Sequence, residues 1–269
     1  MPATREALAL PDGQGTSRDR ARALHTLGAL SFFTKDVPAA RMALEGSLAM
    51  WKEIGDQEAM GPVLSGLGAV HYEEGRPDLA RARFSELLEI GRRLGVDQPQ
   101  AIASTNLAIL DQVEGNFDAA RKQHEFAVEI WRRMGERVQL ATSSNALGGL
   151  HIADGHPERA LPCIVEALDA SLEVGSHITQ ADALDVSAAA FMEFGEHERA
   201  ATAFAAAAAL RADGAPPREG RDVKRYAEYE KRLEATLGAS RYRGVFAAAA
   251  DPDRVSRDIL DACRARMGD

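Results

Sequence analysis

The sequence predicts an all-α fold, a solenoid of stacked helix pairs, and three columns of residues predict it. Leu27-Gly28, Leu67-Gly68, Leu107-Ala108 and Leu147-Gly148 step by 40 residues, as do Ala40, Ala80, Ala120, Ala160 and Ala200, and as do Gly55, Gly95, Gly135 and Gly175. Self-similarity at such a period marks supersecondary units that cannot bury their apolar faces alone and must stack. Arrays of this kind recognise partners on an extended surface and rarely carry chemistry.

Taken in order, each unit reads as two helices around an inner turn. The turns fall at Lys35-Asp36, Gly75-Arg76-Pro77, Gly115-Asn116, Gly155-His156-Pro157 and Gly195-Glu196. In the second unit the helices cover about 57–73 and 78–94: Pro77 suits a first helical turn and Gly95 a left-handed C-cap. In the third, Ala103, Leu107, Leu110 and Val113 form one stripe, and Phe117, Ala120, His124, Ala127, Val128 and Trp131 form another. Spacings of three and four dominate, so strands are not needed. The small residues Gly28, Gly68, Ala108 and Gly148 are read as facing Ala40, Ala80, Ala120 and Ala160 across each pair, so that Gly68→Leu should force its pair apart. The fifth unit, over about 177–213, has Ser187-Ala188 in place of Leu-Gly. Gly214-Ala215-Pro216-Pro217 then breaks the period. A charged helix over about 221–237 follows, with Gly238 as its cap, and a last helix starts at Asp251-Pro252.

Composition narrows the function. Of the 269 residues 45% are hydrophobic and 27% charged, which excludes a disordered chain. The net charge is −9, and before Asp213 there are 20 Lys plus Arg against 30 Asp plus Glu. That balance repels a phosphate backbone, so no direct nucleic-acid binding is expected. Cys163 and Cys263 show no metal or redox spacing, and no apolar run approaches a membrane span or a signal peptide. The expectation is a reduced, cytoplasmic protein with no membrane partner and no cofactor.

The Leu-Gly pair, Tyr72 near it, the turn glycine, then Ala80 and Phe84, resemble the tetratricopeptide repeat, here with long helices and a period above that family's usual length. Longer repeats of this kind, and the tail residues Tyr226, Tyr229, Leu233, Leu237-Gly238 and Phe246, are similar to the sensor region of the maltose-regulon activator, of large bacterial signal-transduction ATPases and of LuxR-type regulators. The resemblance implies a right-handed superhelix: a lead-in over 1–16, five helix pairs over 17–213 and a helical cap over 214–269. It further implies a recognition segment of a signalling or transcriptional regulator. A stand-alone adaptor that holds two proteins together without switching is the rival reading.

Candidate chemistry is sparse. His71 and His151 share a column two units apart, too far to ligate one metal ion, and read as helix-packing residues; His156 and His197 are turn residues. Asp182 and Asp185 lie at i and i+3. They could serve a hydrolase, but lack an opposed group and read better as an acidic groove wall. The pairs Arg92-Arg93 and Arg132-Arg133, and Arg211, suit helix C-termini, where cations meet the macrodipole. No catalytic residue and no metal ligand is assigned.

Carried over from the tetratricopeptide family, the concave positions fall two before, two after and five after each Leu-Gly leucine. They give His25, Ala29 and Phe32; Ser65, Ala69 and Tyr72; Thr105, Ile109 and Gln112; Asn145, Gly149 and Ile152; and Asp185, Ala189 and Met192, with Asp182 beside them. The lining is mostly small, neutral and apolar, with a few amide and hydroxyl groups. It suits a protein or peptide partner and admits a small-molecule effector; its apolar residues equally support self-association.

Overall fold

The computed structural model describes residues 17–217, 220–249 and 251–268. The predicted lead-in over 1–16 lies outside the described residues. Thirteen α-helices and no strand occur among the described residues. Five consecutive pairs are α1 (Ser17–Phe33) with α2 (Val37–Ile54), α3 (Gln57–Glu73) with α4 (Pro77–Leu94), α5 (Asp97–Glu114) with α6 (Phe117–Met134), α7 (Arg137–Ala153) with α8 (Pro157–Val174), and α9 (His177–Glu193) with α10 (His197–Ala212). They are followed by α11 (Gly220–Leu237), α12 (Ala239–Ala248) and α13 (Pro252–Met267). The chain forms two compact units, one reaching to Ile130 and the other starting at Trp131.

The helix ends follow the sequence signals. Asp36, Asp56 and Asp251 accept the backbone N–H of Ala39, Ala59 and Arg254, and Pro77, Pro157 and Pro252 occupy first turns. Gly55, Gly95 and Gly175 close second helices in the left-handed conformation. The inner turns need the same conformation. Gly75, Gly115, Gly155 and Gly195 supply it, and in the first pair Lys35 adopts it at φ 62°. Helix α12, with its Tyr242–Phe246 ring contact at 4.5 Å, was not expected from the sequence.

In the first unit, α1 packs on α2, α2 on α3, α3 on α4 and α4 on α5. The core is built from Leu44, Leu48, Trp51, Leu64, Leu67, Phe84 and Leu87, all buried. The expected Gly-to-Ala opposition is present in the first pair, where a Cβ on Gly28 would lie 3.2 Å from the Ala40 carbonyl, but the tightest approach is to a different residue. A Cβ on Gly68 would lie 2.3 Å from Phe84 Cε1, and one on Gly28 would lie 2.5 Å from Leu44 Cγ. The space of the missing side chain is filled by the larger residue one turn beyond the alanine.

The column of Leu44 and Phe84 holds His124 in α6. His124 is buried, neither ring nitrogen has a hydrogen-bond partner, and burial pushes its pKa down to about 4. The Ser104 hydroxyl, in the column of Leu64, is likewise buried and unpartnered. The acid response follows. The folded ring stays neutral down to about pH 4, whereas the unfolded ring protonates near 6.5. Between these values the unfolded chain binds more protons, so stability that is full above pH 6.5 falls as pH drops towards 4, by up to about 3 kcal/mol. Urea melts across this window will show that slope, and His124→Leu will flatten it.

In the second unit α7 packs on α8 and on α9, α8 on α9, and α9 on α10. The last three helices close its end. Helices α11, α12 and α13 pack on α10, and α13 also lies against α8. Val255, Ile259, Leu260 and Cys263 of α13 are buried, and burial pushes the Cys263 thiol up to about 12. Gln180 donates to Asp253 and Ser256 at 2.8 and 3.1 Å, and Arg264 and Arg266 pair with Asp169 and Glu196.

Candidate functional site

Within the first unit the first helices touch one another, α1 with α3 and α3 with α5, whereas the second helices α2 and α4 make no comparable contact. The side formed by α1, α3 and α5 is therefore the inner, tighter side. It presents the expected positions. His25, Phe32, Ser65, Thr105 and Gln112 are half-buried, while Tyr72 and Ile109 are exposed at 42% and 38%. Phe32, Tyr72 and Ile109 are the large apolar residues among these positions, and Lys35 sets its ammonium 5.9 Å from the Phe32 ring centre. Apart from Lys35, the polar residues at the expected positions, His25, Ser65, Thr105 and Gln112, are hydroxyl, amide and imidazole groups. Asn106 donates to the Ile102 carbonyl at 2.8 Å, Thr26 to the Arg22 carbonyl at 3.1 Å, and burial lowers the pKa of His25.

The second unit treats the equivalent positions differently. Asn145, Ile152, Asp185 and Met192 are buried, and Asp182 is exposed. The cause is the closer approach of α7 and α9, which touch far more extensively than α1 and α3 do. Small residues permit it: a Cβ on Gly148 would lie 3.1 Å from Val186 Cγ1. Asn145 then donates across to the Thr179 carbonyl at 3.1 Å. Asp185, 1% exposed, pairs with Arg211 at 2.8 Å, and the same guanidinium reaches Asp182 at 2.9 Å. The two aspartates therefore flank an arginine and line no open groove.

The basic residues near helix ends are tied to neighbours. Arg132 grips Glu166 with two bonds of 2.7 and 3.1 Å, Ser144 donates to the same carboxylate at 2.8 Å, and Arg93 donates to Gln57 at 3.1 Å. A second set was not read from the sequence. Arg41 of α2 reaches Glu74 of α3 at 2.9 Å, and Arg81 of α4 reaches Asp111 and Glu114 of α5 at 2.8 and 2.9 Å. Burial raises the pKa of Glu74, but Arg41 and His71 outweigh it and hold the carboxyl below its ordinary value. Burial works against Arg81 in the same way, and its two carboxylate partners raise its pKa. The signal was present in the 40-residue columns of Arg41 and Arg81, and of Glu74 and Glu114. His71 and His151 lie in one column and are both buried in helix packing; His71 sits 3.4 Å from Glu74.

Among the described residues there is no group of three or more His, Cys, Asp or Glu placed to hold a metal ion, and no helix is long and apolar enough to cross a membrane.

No curated protein matches the chain at a significant level. Solved structures do. BtubC (BKLC) from P. vanneervenii aligns with a TM-score of 0.67 at 21% identity, over 82% of this chain and 92% of that one. A Podosopora anserina putative kinesin light chain with nearly identical TPR-like repeats aligns with a TM-score of 0.59 at 16% identity, over 76% of this chain and 100% of that one. Likeness at this identity concerns the fold. The sequence model of one family, described as tetratricopeptide repeat, matches residues 19–93 and 99–173, more than half of the chain. Those stretches hold the Leu-Gly column, the alanine column from Ala40 to Ala160 and the arginine rungs described above, and the chain belongs to the tetratricopeptide repeat family.

Proposed function

We propose that this chain is a non-catalytic recognition module whose first unit binds an uncharged, apolar segment of a protein partner across α1, α3 and α5. The fold is that of a protein-interaction scaffold. The observation that carries the finer reading is the contrast between the faces. The expected positions of the first unit are half-buried or exposed and include Phe32, Tyr72 and Ile109, whereas Asn145, Ile152, Asp185 and Met192 of the second are buried. Acid and base are concentrated elsewhere, on helices such as α4 with Asp78, Arg81, Arg83, Glu86, Glu89, Arg92 and Arg93. A partner recognised here is selected by apolar surface and by hydroxyl and amide hydrogen bonds, with little help from ion pairing. The neutral lining also admits a small-molecule effector, and that is one outcome of the test.

The module fits the sensor or scaffold segment of a bacterial signalling or transcriptional regulator, in support of which stand the long repeats and the helical tail. In that role the partner must bind two states of the regulator with different affinity. A hydrolase built on Asp182 and Asp185 is disfavoured by the Arg211 guanidinium that neutralises both.

Selection of displayed peptides on the intact chain tests the reading. Enriched peptides should be apolar and low in charge, bind with an affinity that changes little with salt, and lose at least about tenfold in Tyr72→Ala, as a buried aromatic anchor does. Asp182→Asn should bind them like the parent. Charged, salt-sensitive peptides indifferent to Tyr72→Ala would sink the proposal, and enrichment of none beside a thermal shift with a small molecule would transfer it to the effector.

A further inference from the structure

Helix α13 joins the second unit from outside the stack. It packs on the second helices α8 and α10 and touches α9. The pairs stack without it, since α7 packs on α8, α8 on α9 and α9 on α10, while α11 and α12 pack on α10 and on each other. One face of α13 is buried through Val255, Ser256, Ile259, Leu260 and Cys263, and Arg254, Arg257, Asp258 and Asp261 around it are exposed. This is how an amphipathic helix is held when it lies in a groove as a ligand.

The seat also carries a group that reads its occupant. Gln180 of α9 is 1% exposed, and its amide donates to Asp253 Oδ1 at 2.8 Å and to Ser256 Oγ at 3.1 Å, both near the start of α13. Gln100, in the same column, gives its amide to the Gly91 and Val96 carbonyls of the array itself. A buried amide left without an acceptor costs free energy, so the seat favours a helix with an acceptor in its first turn over one without. At the far end Arg264 pairs with Asp169, and Arg266 pairs with Glu196 and lies 3.8 Å from the Phe194 ring centre. Both arginine side chains are 41% exposed, so these ion pairs add little to hold the helix down.

We propose that the face of α8, α9 and α10 is a helix-binding site that α13 occupies in cis, and that an amphipathic helix of a partner displaces it. That helix carries an acceptor in its first turn, in the place of Asp253, and apolar residues in the places of Val255, Ile259 and Leu260. The site is independent of the partner groove, which belongs to the first unit.

Thiol labelling of the full chain tests the proposal, because Cys263 lies on α13 and Cys163 on α8. By static exposure Cys163, at 9%, should react before Cys263, at 0%. Release of α13 reverses that order. A maleimide should modify Cys263 at least about tenfold faster than Cys163, since a terminal helix opens at lower free energy than the array beneath it. A free peptide of residues 251–268 carrying Cys263→Ser should raise the Cys263 rate further in proportion to its concentration, because it fills the seat before α13 returns, and should leave the Cys163 rate unchanged. The same peptide with Ile259→Glu and Leu260→Glu added should do nothing. Equal rates, or Cys163 in the lead, overturn the proposal, since α13 then opens only together with the array. A Cys263 rate that the first peptide leaves unchanged overturns it too, as does equal acceleration by the glutamate peptide.

Discussion

Gly68→Leu is expected to cost about 3 kcal/mol or more of folding stability, at the upper end of what overpacking does. A Cβ at this position would lie 2.3, 2.5 and 2.8 Å from three atoms of the Phe84 ring. No flexible chain end is there to yield. The ring is 2% exposed and belongs to the core that contains Leu64, Leu67 and Leu87. Moving it out forfeits burial on the scale of a Phe→Ala change, roughly 3 to 5 kcal/mol, and leaving it in place drives α3 from α4. The gain in helix propensity, about 1 kcal/mol, offsets only part. Gly149 is the control, because a Cβ there meets nothing within 4 Å. Gly149→Ala should be neutral or stabilising by up to about 1 kcal/mol. Urea melts of both variants and of Gly68→Leu with Phe84→Ala give the comparison. A Gly68→Leu protein as stable as the parent would contradict the packing, and partial rescue by Phe84→Ala would assign the clash to the ring.

Arg211→Met should be of similar size, about 3 to 5 kcal/mol, for an electrostatic reason. The guanidinium pairs with the buried Asp185 and with Asp182, and its own side chain is only 12% exposed. Taking the cation away leaves the charge of Asp185 in a medium that solvates it poorly. Asp185→Leu combined with Arg211→Met should recover most of the loss, since an apolar replacement of both partners removes the uncompensated charge. Thermal melts of the singles and the double decide it. If Asp185 mattered only for turnover, neither single variant would shift the melting temperature.

The repeat architecture was legible because its signals are local. Asp36, Asp56 and Asp251 cap helices as their positions suggest, and the glycine columns fall where left-handed residues end them. The expected groove positions are accessible only in the first unit. The burial of Asn145, Ile152 and Met192 follows from the distance between α7 and α9, and that distance is the summed result of small residues on two helices with no one residue to announce it. Arg211 hid its role differently. It stands in the column of Trp51 and Trp131, where the repeat calls for packing, and its carboxylates lie on the preceding helix of the pair. Ser104 and His124 were legible as columns but not as a cost, because only burial shows that they lack partners.

The rungs from Arg41 to Glu74 and from Arg81 to Glu114 always run from a second helix to the first helix of the next pair. The second pair, with Glu74 and Arg81, thus has an acceptor end and a donor end, like the monomer of a head-to-tail polymer. Within the first unit, such a monomer can be copied as a block of 40 residues with donor again meeting acceptor. The columns change along the chain: Thr34 stands in the acceptor column of the first pair, and Leu161 and Ala201 stand in the donor column of the fourth and fifth, where the pairs stack without such a rung. The direction of stacking in the first unit is in this sense written into two columns of side chains.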